Sequence, residues 1–167
     1  GESLSLSKSK PTRDNHTFMG WATSQGGAVA YQPGSSYAAN AGATLYAVWR
    51  LDYLPPTVTG LTVTRCDDGG AESDTGTQAR VAFSWTVDAA SGQSAKALTV
   101  ATSKRGSGAW TTTTLAAPSG TSGKVSELLA GPFSVDSAYD VRVTVVDASD
   151  GSASATATMA TAFYVLD

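Results

Sequence analysis

The sequence has few of the residue types that carry out most protein chemistry. Its 167 residues include one histidine, His16, and one cysteine, Cys66. A general base or a metal ligand needs partners close to it in the fold, so we expect His16 to pack against its own polar turn. A catalytic thiol needs a base that holds it as the thiolate, and the sequence offers none beside Cys66. A single cysteine also excludes an internal disulfide.

Charge and long apolar runs are scarce as well. Charged residues make up 15% of the chain, where about a quarter is usual, and the formal net charge is −3. Proteins that bind nucleic acid normally have a basic surface, so this balance argues against a nucleic-acid partner. No apolar run reaches the ~18 residues of a membrane-spanning helix, and we therefore expect no membrane insertion.

Small residues and residues that favour β-strands are abundant where charged residues are scarce. Thr favours strands, while Gly, Ser and Asn favour turns, so the composition is that of an all-β protein. Beyond residue 56, alternating apolar and polar positions predict roughly seven strands that form a sandwich. These strands lie around residues 61–63, 79–87, 98–100, 110–115, 125–129, 139–145 and 153–159. Trp85 and Tyr139 fall on the apolar faces of their strands, so we expect both to be buried, and Asp150-Gly151 predicts a tight hairpin.

The first part of the chain has a different pattern of short aromatic runs. Residues 17–21 and 44–49 are runs of this kind, bounded by Gly, Pro, Asn and Ser, and each predicts a strand. Gly20 inside the first run predicts a bulge or a close backbone approach beside Trp21. Pro55-Pro56 favours a stiff extended segment that ends this region. We therefore predict a module at 1–51, a Pro-rich linker at 52–56 and a sandwich at 57–167.

The motifs of the first module resemble a known family. In order they are Lys-Pro-Thr-Arg at 10–13, Phe-Met-Gly-Trp at 18–21, Pro-Gly at 33–34 and Thr-Leu-Tyr-Ala-Val-Trp at 44–49. This order is similar to that of the Listeria–Bacteroides repeat, the B repeat of internalins, over about residues 2–50. The resemblance implies a β-grasp-like spacer or adhesive unit of an extracellular or virion protein. It also implies that the first strand of the repeat is missing here, so we expect the chain to be part of a longer protein.

The second region resembles fibronectin type III and immunoglobulin-like sandwiches. Leu-Thr-Val-Thr-Arg-Cys-Asp at 61–67, Gly-Thr-Gln-Ala-Arg-Val at 76–81 and Ala-Phe-Tyr-Val-Leu-Asp at 162–167 are also similar to siphophage minor structural (tail) proteins. That resemblance covers about residues 55–167. It implies a structural part of a phage tail, and its order after a Listeria–Bacteroides repeat supports the same interpretation.

One acidic segment is the best candidate for a metal site. Asp67, Asp68, Glu72 and Asp74 follow one another closely, and calcium binds several oxygen ligands from one loop. Their spacing fits no EF-hand pattern, and a flexible, solvated loop between strands is the favoured interpretation. Asp147 and Asp150 flank the predicted hairpin, where such residues are expected for turn formation alone.

Aromatic residues offer a candidate binding surface. Tyr31, Tyr37 and Trp110 would form an exposed platform for a glycan, although such residues more often pack. The sequence thus predicts no catalytic residue, no cofactor and no metal site.

Three functions remain open. The first is a non-enzymatic segment of a phage tail tip or fibre that positions a host-binding end. The second is a stalk or ligand-binding segment of a Gram-positive surface adhesin, and the third is an accessory domain of a secreted carbohydrate-active enzyme. The expected partners are other copies of the chain, other tail proteins, or a glycan or protein of the host surface. The expected location is the virion or, alternatively, the bacterial cell surface.

Overall fold

A computed structural model describes residues 3–38 and 42–162 of the chain. The chain divides into two compact units, unit 1 at Gly1–Leu54 and unit 2 at Pro55–Asp167. The division falls inside the segment 52–56 that the sequence predicts as a linker. The sequence motif at the C-terminus extends over residues 163–167, which lie outside the described residues.

The fold is all-β, as the sequence predicts. Among its described residues, unit 1 contains four strands: β1 (Leu4–Ser5), β2 (His16–Ala22), β3 (Ser36–Tyr37) and β4 (Tyr46–Leu51). Over residues 55–162, unit 2 contains seven: β5 (Thr57–Cys66), β6 (Gln78–Thr86), β7 (Ala95–Lys104), β8 (Thr111–Thr114), β9 (Ser122–Leu129), β10 (Tyr139–Asp147) and β11 (Ser152–Met159). The helical structure in the described residues is one 3₁₀ turn at Ala89–Ser91. Over the same residues, no helix has the length and hydropathy needed to cross a membrane.

Unit 1 is built from two antiparallel pairs, β1 with β3 and β2 with β4. The register of β2 against β4 shifts between Phe18 and Gly20, which places a bulge beside Trp21. Gly20 has a φ of 143°, and a Cβ added there would lie 2.4 Å from Cγ1 of Val29. The predicted bulge and the predicted close approach are therefore both confirmed, and a side chain at position 20 has no space.

An aromatic cluster stabilises unit 1 in place of a large aliphatic core. The Phe18 ring lies 5.0 Å from that of Trp21 and 5.5 Å from that of Trp49, both edge-to-face. Among the described residues of the unit, Ala22 is the one fully buried apolar side chain. Because so little apolar surface is buried, we expect the unit to have a small stability margin.

Unit 2 is a two-sheet sandwich. One sheet has the strand order β5-β6-β9, and the other has the order β11-β10-β7-β8. The first, second and fifth strands of the unit thus face the other four, as in fibronectin III-like and immunoglobulin-like domains. Each of the roughly seven strands predicted from alternation corresponds to one of these strands.

The core of unit 2 is formed by the inward positions of both sheets. Trp85 on β6 is 4% exposed, which confirms its predicted burial. Gly123 on β9 is paired with Trp85, and a Cβ at Gly123 would lie 2.9–3.0 Å from the indole ring. The glycine therefore makes space for the tryptophan. The other members of the core cluster are Ala79, Val81, Phe83, Val87, Leu98, Val100, Leu129, Phe133, Val141, Val143, Val145 and Met159.

Tyr139 differs from its prediction, because it is half-buried at the edge of the core. Its ring packs edge-to-face on Phe133 at 5.1 Å. Its hydroxyl accepts a hydrogen bond of 3.0 Å from the backbone N–H of Ser134. A tyrosine at the start of this strand, bonded to the backbone shortly before it, is the tyrosine corner of immunoglobulin-like sandwiches. The polar end of the ring must reach that backbone, which is why the residue is not enclosed.

A buried arginine joins the loops at one end of the sandwich. Arg65, at 7% exposure, donates to the carbonyl oxygens of Gly76, Ser134, Ser137 and Ala160 over 2.9–3.0 Å. Four of the five guanidinium N–H groups are thus used by backbone acceptors. The positive charge is compensated by carbonyl dipoles, which makes its burial tolerable.

The predicted hairpin between the last two strands is also present. Asp150 has a φ of 64°, the left-handed conformation that Asp tolerates in a turn. The buried carboxylate of Asp147 accepts hydrogen bonds from the N–H groups of Ser149 and Gly151, both at 2.9 Å. Asp147 and Asp150 are therefore turn-forming residues.

Candidate functional site

His16 begins β2 in unit 1 and lies against the turn before it. Its Nδ1 is 2.7 Å from the carbonyl oxygen of Asp14, and its ring meets Trp49 edge-on at 6.5 Å. The side chain is half-buried. These contacts orient the imidazole towards the turn and the aromatic cluster, which is a packing role.

Cys66 ends β5 in unit 2 and is covered by the acidic loop that follows it. The side chain is 1% exposed, and its thiol donates to the carbonyl oxygen of Thr64 at 3.6 Å. Glu72 forms a β-bridge with it, and the backbone of Gly76 passes so close that an added Cβ would lie 2.1 Å from the Cys66 carbonyl oxygen. An enclosed thiol is inaccessible to a substrate. His16 and Cys66 belong to different units.

The acidic loop forms a hydrogen-bonded turn. Asp67 exchanges backbone hydrogen bonds with the loop, since its N–H donates to the carbonyl oxygen of Ala71 and its carbonyl oxygen accepts from Gly70. Its Oδ1 accepts a third bond, of 2.9 Å, from the Ala71 N–H. Arg80 donates to the carbonyl oxygen of Gly70 at 2.8 Å. The glycines here permit a tight, bonded turn over the end of the sheet.

The carboxylates of this loop point to solvent and serve local contacts. Asp67, Asp68, Glu72 and Asp74 are all exposed, in agreement with a solvated loop. Oδ1 of Asp68 accepts a bond of 3.2 Å from the side-chain amide of Gln78. Across the described residues, no group of three or more His, Cys, Asp or Glu side chains is placed to hold a metal ion.

The three aromatic residues of the predicted platform do not share one arrangement. In unit 1, the rings of Tyr31 and Tyr37 meet edge-to-face at 5.5 Å, and both side chains are half-buried. In unit 2, Trp110 is 39% exposed and makes a cation–π contact with Arg142, whose Cζ lies 4.4 Å from the ring centroid. The two tyrosines pack on each other, whereas Trp110 keeps an accessible ring.

The register of unit 2 explains how Trp110 and Arg142 meet. Thr112 on β8 is opposite Ala101 on β7, and Ala101 is opposite Arg142 on β10. Arg142 lies between the buried core residues 141 and 143, so its side chain is on the outer face of the four-stranded sheet. Trp110 directly precedes β8 and reaches the same face. Ala101 lies between them and is only 4% exposed although it faces outwards, as expected if the stacked pair covers it.

Hydroxyl groups surround this pair. Asp140 lies two residues before Arg142 on β10. It is opposite Ser103 on β7 and Thr158 on β11, and its Oδ1 accepts a bond of 2.7 Å from the Thr158 hydroxyl. Arg142 and Asp140 are the charged residues among the outward positions of these strands. The remaining outward positions are Ala97, Thr99, Ala101, Ser103, Thr112, Thr114, Thr144, Val146, Ser152, Ser154, Thr156 and Thr158.

A groove lies at one side of the sandwich, where the edge strands β8 and β9 leave the two sheets unjoined. It has a volume of about 400 Å³. Threonines 111 and 113 of β8 line one wall, and Glu127 and Leu129 line the other, with Phe133 also contributing. The groove is mixed in character, since hydroxyls and one carboxylate alternate with core side chains.

The sequence does not predict the contacts of two arginines, Arg65 and Arg142. Arg65 lies in a strand, and no neighbouring residue indicates that its side chain binds four backbone carbonyls. Arg142 is recognisable as an outward residue of an alternating strand, but its contact with Trp110 spans three strands of the sheet. An outward charge in a Val-rich strand is ordinary, and Asp140 is another on the same face, so no local signal points to that contact.

Comparison with known proteins bears on the first module. Residues 1–48 match the family model of the Listeria-Bacteroides repeat domain. Proteins with this repeat are typically extracellular or surface proteins. The match confirms the resemblance carried by the motifs of unit 1 and does not extend into unit 2. Searches of the curated proteins and of the solved structures gave no significant match to the chain.

Proposed function

We propose that the chain is a non-enzymatic structural and adhesive segment of a phage tail, at the tail tip or in a fibre. The observation that carries this proposal is the pairing of a Listeria-Bacteroides repeat module, at residues 1–48, with a β-sandwich in the same chain. The repeat family supports a role outside the cell or on a surface. The likeness of residues 55–167 to siphophage tail proteins supports the choice of the phage tail.

The mechanism is mechanical. Each unit is a compact β module, and the bonded loops of unit 2 make it a firm element that transmits force. Arg65 links four segments at one end of the sandwich, and Asp147 closes the hairpin between β10 and β11. Such modules in series hold a host-binding end at a distance from the particle. Partners in this function are other copies of the chain or neighbouring tail proteins.

Immunogold electron microscopy tests the location. An antibody raised against the purified chain is applied to particles and cells from a culture that produces the protein. Label on particle tails supports the proposal. Label confined to the cell envelope supports the second candidate, a Gram-positive surface adhesin, which the surface character of the repeat family also favours. Label in neither place, with the antigen in the medium bound to a glycoside hydrolase, supports an accessory domain instead.

A separate assay tests the absence of catalysis. The purified chain is incubated with glycoside, peptide, ester and phosphoester substrates, and we expect no turnover above the buffer blank. The lone histidine is oriented towards Asp14 and Trp49, and the lone thiol is enclosed. Turnover that survives further purification would contradict a non-enzymatic role.

A further inference from the structure

We infer that unit 2 has a saccharide-binding site on the outer face of its four-stranded sheet, centred on Trp110 and Arg142. The inference goes beyond the proposed function and stands without it, because it rests on the geometry of this face alone. The ligand class is a pyranose sugar, whose C–H groups pack on the indole ring and whose oxygens accept bonds from the guanidinium.

The accessible indole ring is the first element of the site. Trp110 is 39% exposed, whereas Trp85 in the core of the same unit is 4% exposed. A substantial part of the Trp110 side chain therefore remains in water, which is unfavourable for an apolar ring and is offset when a ligand covers it. Arg142 lies over one face of the ring, and the indole surface that stays exposed is a suitable platform for the apolar face of a sugar.

The arginine supplies directed hydrogen-bond donors. Arg142 is exposed, and its guanidinium is held by the Trp110 ring at 4.4 Å. The ion pair found among the described residues is that of Lys96 with Asp150, so Arg142 has no carboxylate partner there. A cation–π contact leaves the five N–H donors of a guanidinium available for other acceptors. The contact also restrains the Arg142 side chain, which reduces the entropy lost when a ligand oxygen is bound.

The surroundings favour a sugar over a protein or a nucleic acid. Threonine and serine hydroxyls dominate the outward positions beside the pair, and Asp140, fixed by Thr158, adds a carboxylate acceptor. These groups complement sugar hydroxyls, which both donate and accept. A stable protein interface would be expected to have an apolar centre larger than one indole. A nucleic-acid site would need several cationic side chains, and this face has one.

Glycan-array binding with the full chain tests the inference. The probes are neutral and acidic pyranose glycans, printed together with purified Gram-positive cell-wall polysaccharide. Hits are then titrated in solution by calorimetry. We expect binding to at least one probe class, and comparison of the neutral and acidic arms identifies whether Arg142 takes a hydroxyl or a carboxylate. Absence of binding to every probe overturns the inference.

Matched variants locate the site. Trp110→Ala and Arg142→Lys should each weaken the best hit by about tenfold or more, the effect of losing one good stacking or bidentate contact. Lys retains the charge but not the planar fork, so the second variant tests geometry separately from charge. Lys124→Ala, on the outer face of the other sheet, is the control and should stay within about twofold. If Trp110→Ala lowers the melting temperature, Trp110→Phe replaces it. Full binding by both site variants overturns the assignment.

Discussion

Nε of Arg65 donates a hydrogen bond of 2.9 Å to the carbonyl oxygen of Ala160, a residue 95 positions later in the chain. The bond connects the first strand of unit 2 to the residue that follows its last strand. Three further carbonyls accept from the same guanidinium. The side chain therefore closes one end of the sandwich, where polar backbone groups of several loops would otherwise be left without partners.

Loss of Arg65 should strongly destabilise unit 2. Arg65→Met keeps the length of the side chain but removes every donor, and we expect the free energy of unfolding to fall by about 3 kcal/mol or more. The free energy of unfolding of Arg65→Lys should lie between that of Arg65→Met and that of the parent chain, because an ammonium cannot reach four diverging carbonyls. Urea denaturation followed by circular dichroism measures the change. Arg105→Met, at an exposed position beside β7, is the control and should change stability by less than about 0.5 kcal/mol. Equal stability of Arg65→Met and the control would show that the carbonyl contacts contribute nothing.

Trp85 and Gly123 form a coupled pair in the core. Trp85→Ala should cost about 3–5 kcal/mol, the range for loss of a buried aromatic. Gly123→Ala should cost about 1–3 kcal/mol in the parent chain, because the new Cβ would meet the indole at 2.9–3.0 Å. In a Trp85→Leu background the same glycine change should cost less, since the clash is with the ring. Additive costs in this double-mutant cycle would contradict the contact. Ser126→Ala, on the same strand as Gly123, controls for the introduction of an alanine into β9.

Gly20 should be indispensable to unit 1. Its φ of 143° is unfavourable for any residue with a Cβ, and Val29 occupies the space that the Cβ would need. We expect Gly20→Ala to unfold the unit at room temperature, because a strained residue and an overpacked contact together cost several kcal/mol. Loss of the near-ultraviolet circular dichroism of Trp21 and Trp49 would report this. Gly42→Ala is the matched control, since a Cβ there meets nothing within 4 Å. A folded Gly20→Ala variant would mean that β2 has another register in solution.

The strands of unit 2 can mostly be predicted from the sequence, because strict alternation of apolar and polar residues over a long run is typical of a strand with one buried face. β6 and β10 are found in this way. β1 and β3 have two residues each and carry no periodicity, so only their pairing in space reveals them. The bulge and close approach at Gly20 can be predicted because glycine destabilises the interior of an aromatic-rich strand and is expected there only for a structural reason. The pattern places Tyr139 on the inner face, but the hydrogen bond that holds its hydroxyl at the edge follows from the fold.

The candidate site is less accessible to sequence reasoning. The sequence indicates Trp110 as a platform residue only together with Tyr31 and Tyr37, because composition alone does not show which aromatics meet. The partners of Arg142 and Arg65 depend on strand order and register. Backbone carbonyls in particular leave no trace in the sequence, so a buried arginine that binds them cannot be told from an exposed one.

The acidic loop after β5 should not bind calcium with an effect on stability. Calcium takes about six to eight oxygen ligands from a converging site. Here Oδ1 of Asp67 already accepts from Ala71, and Oδ1 of Asp68 already accepts from Gln78. Calorimetric melting in excess calcium and in excess chelator should therefore give midpoints that agree within about one degree, since a ligand that does not bind the native state cannot raise its stability. Magnesium in place of calcium controls for ionic strength. A calcium-specific rise of several degrees, abolished by Asp67→Asn, would contradict the prediction and establish the loop as a metal site.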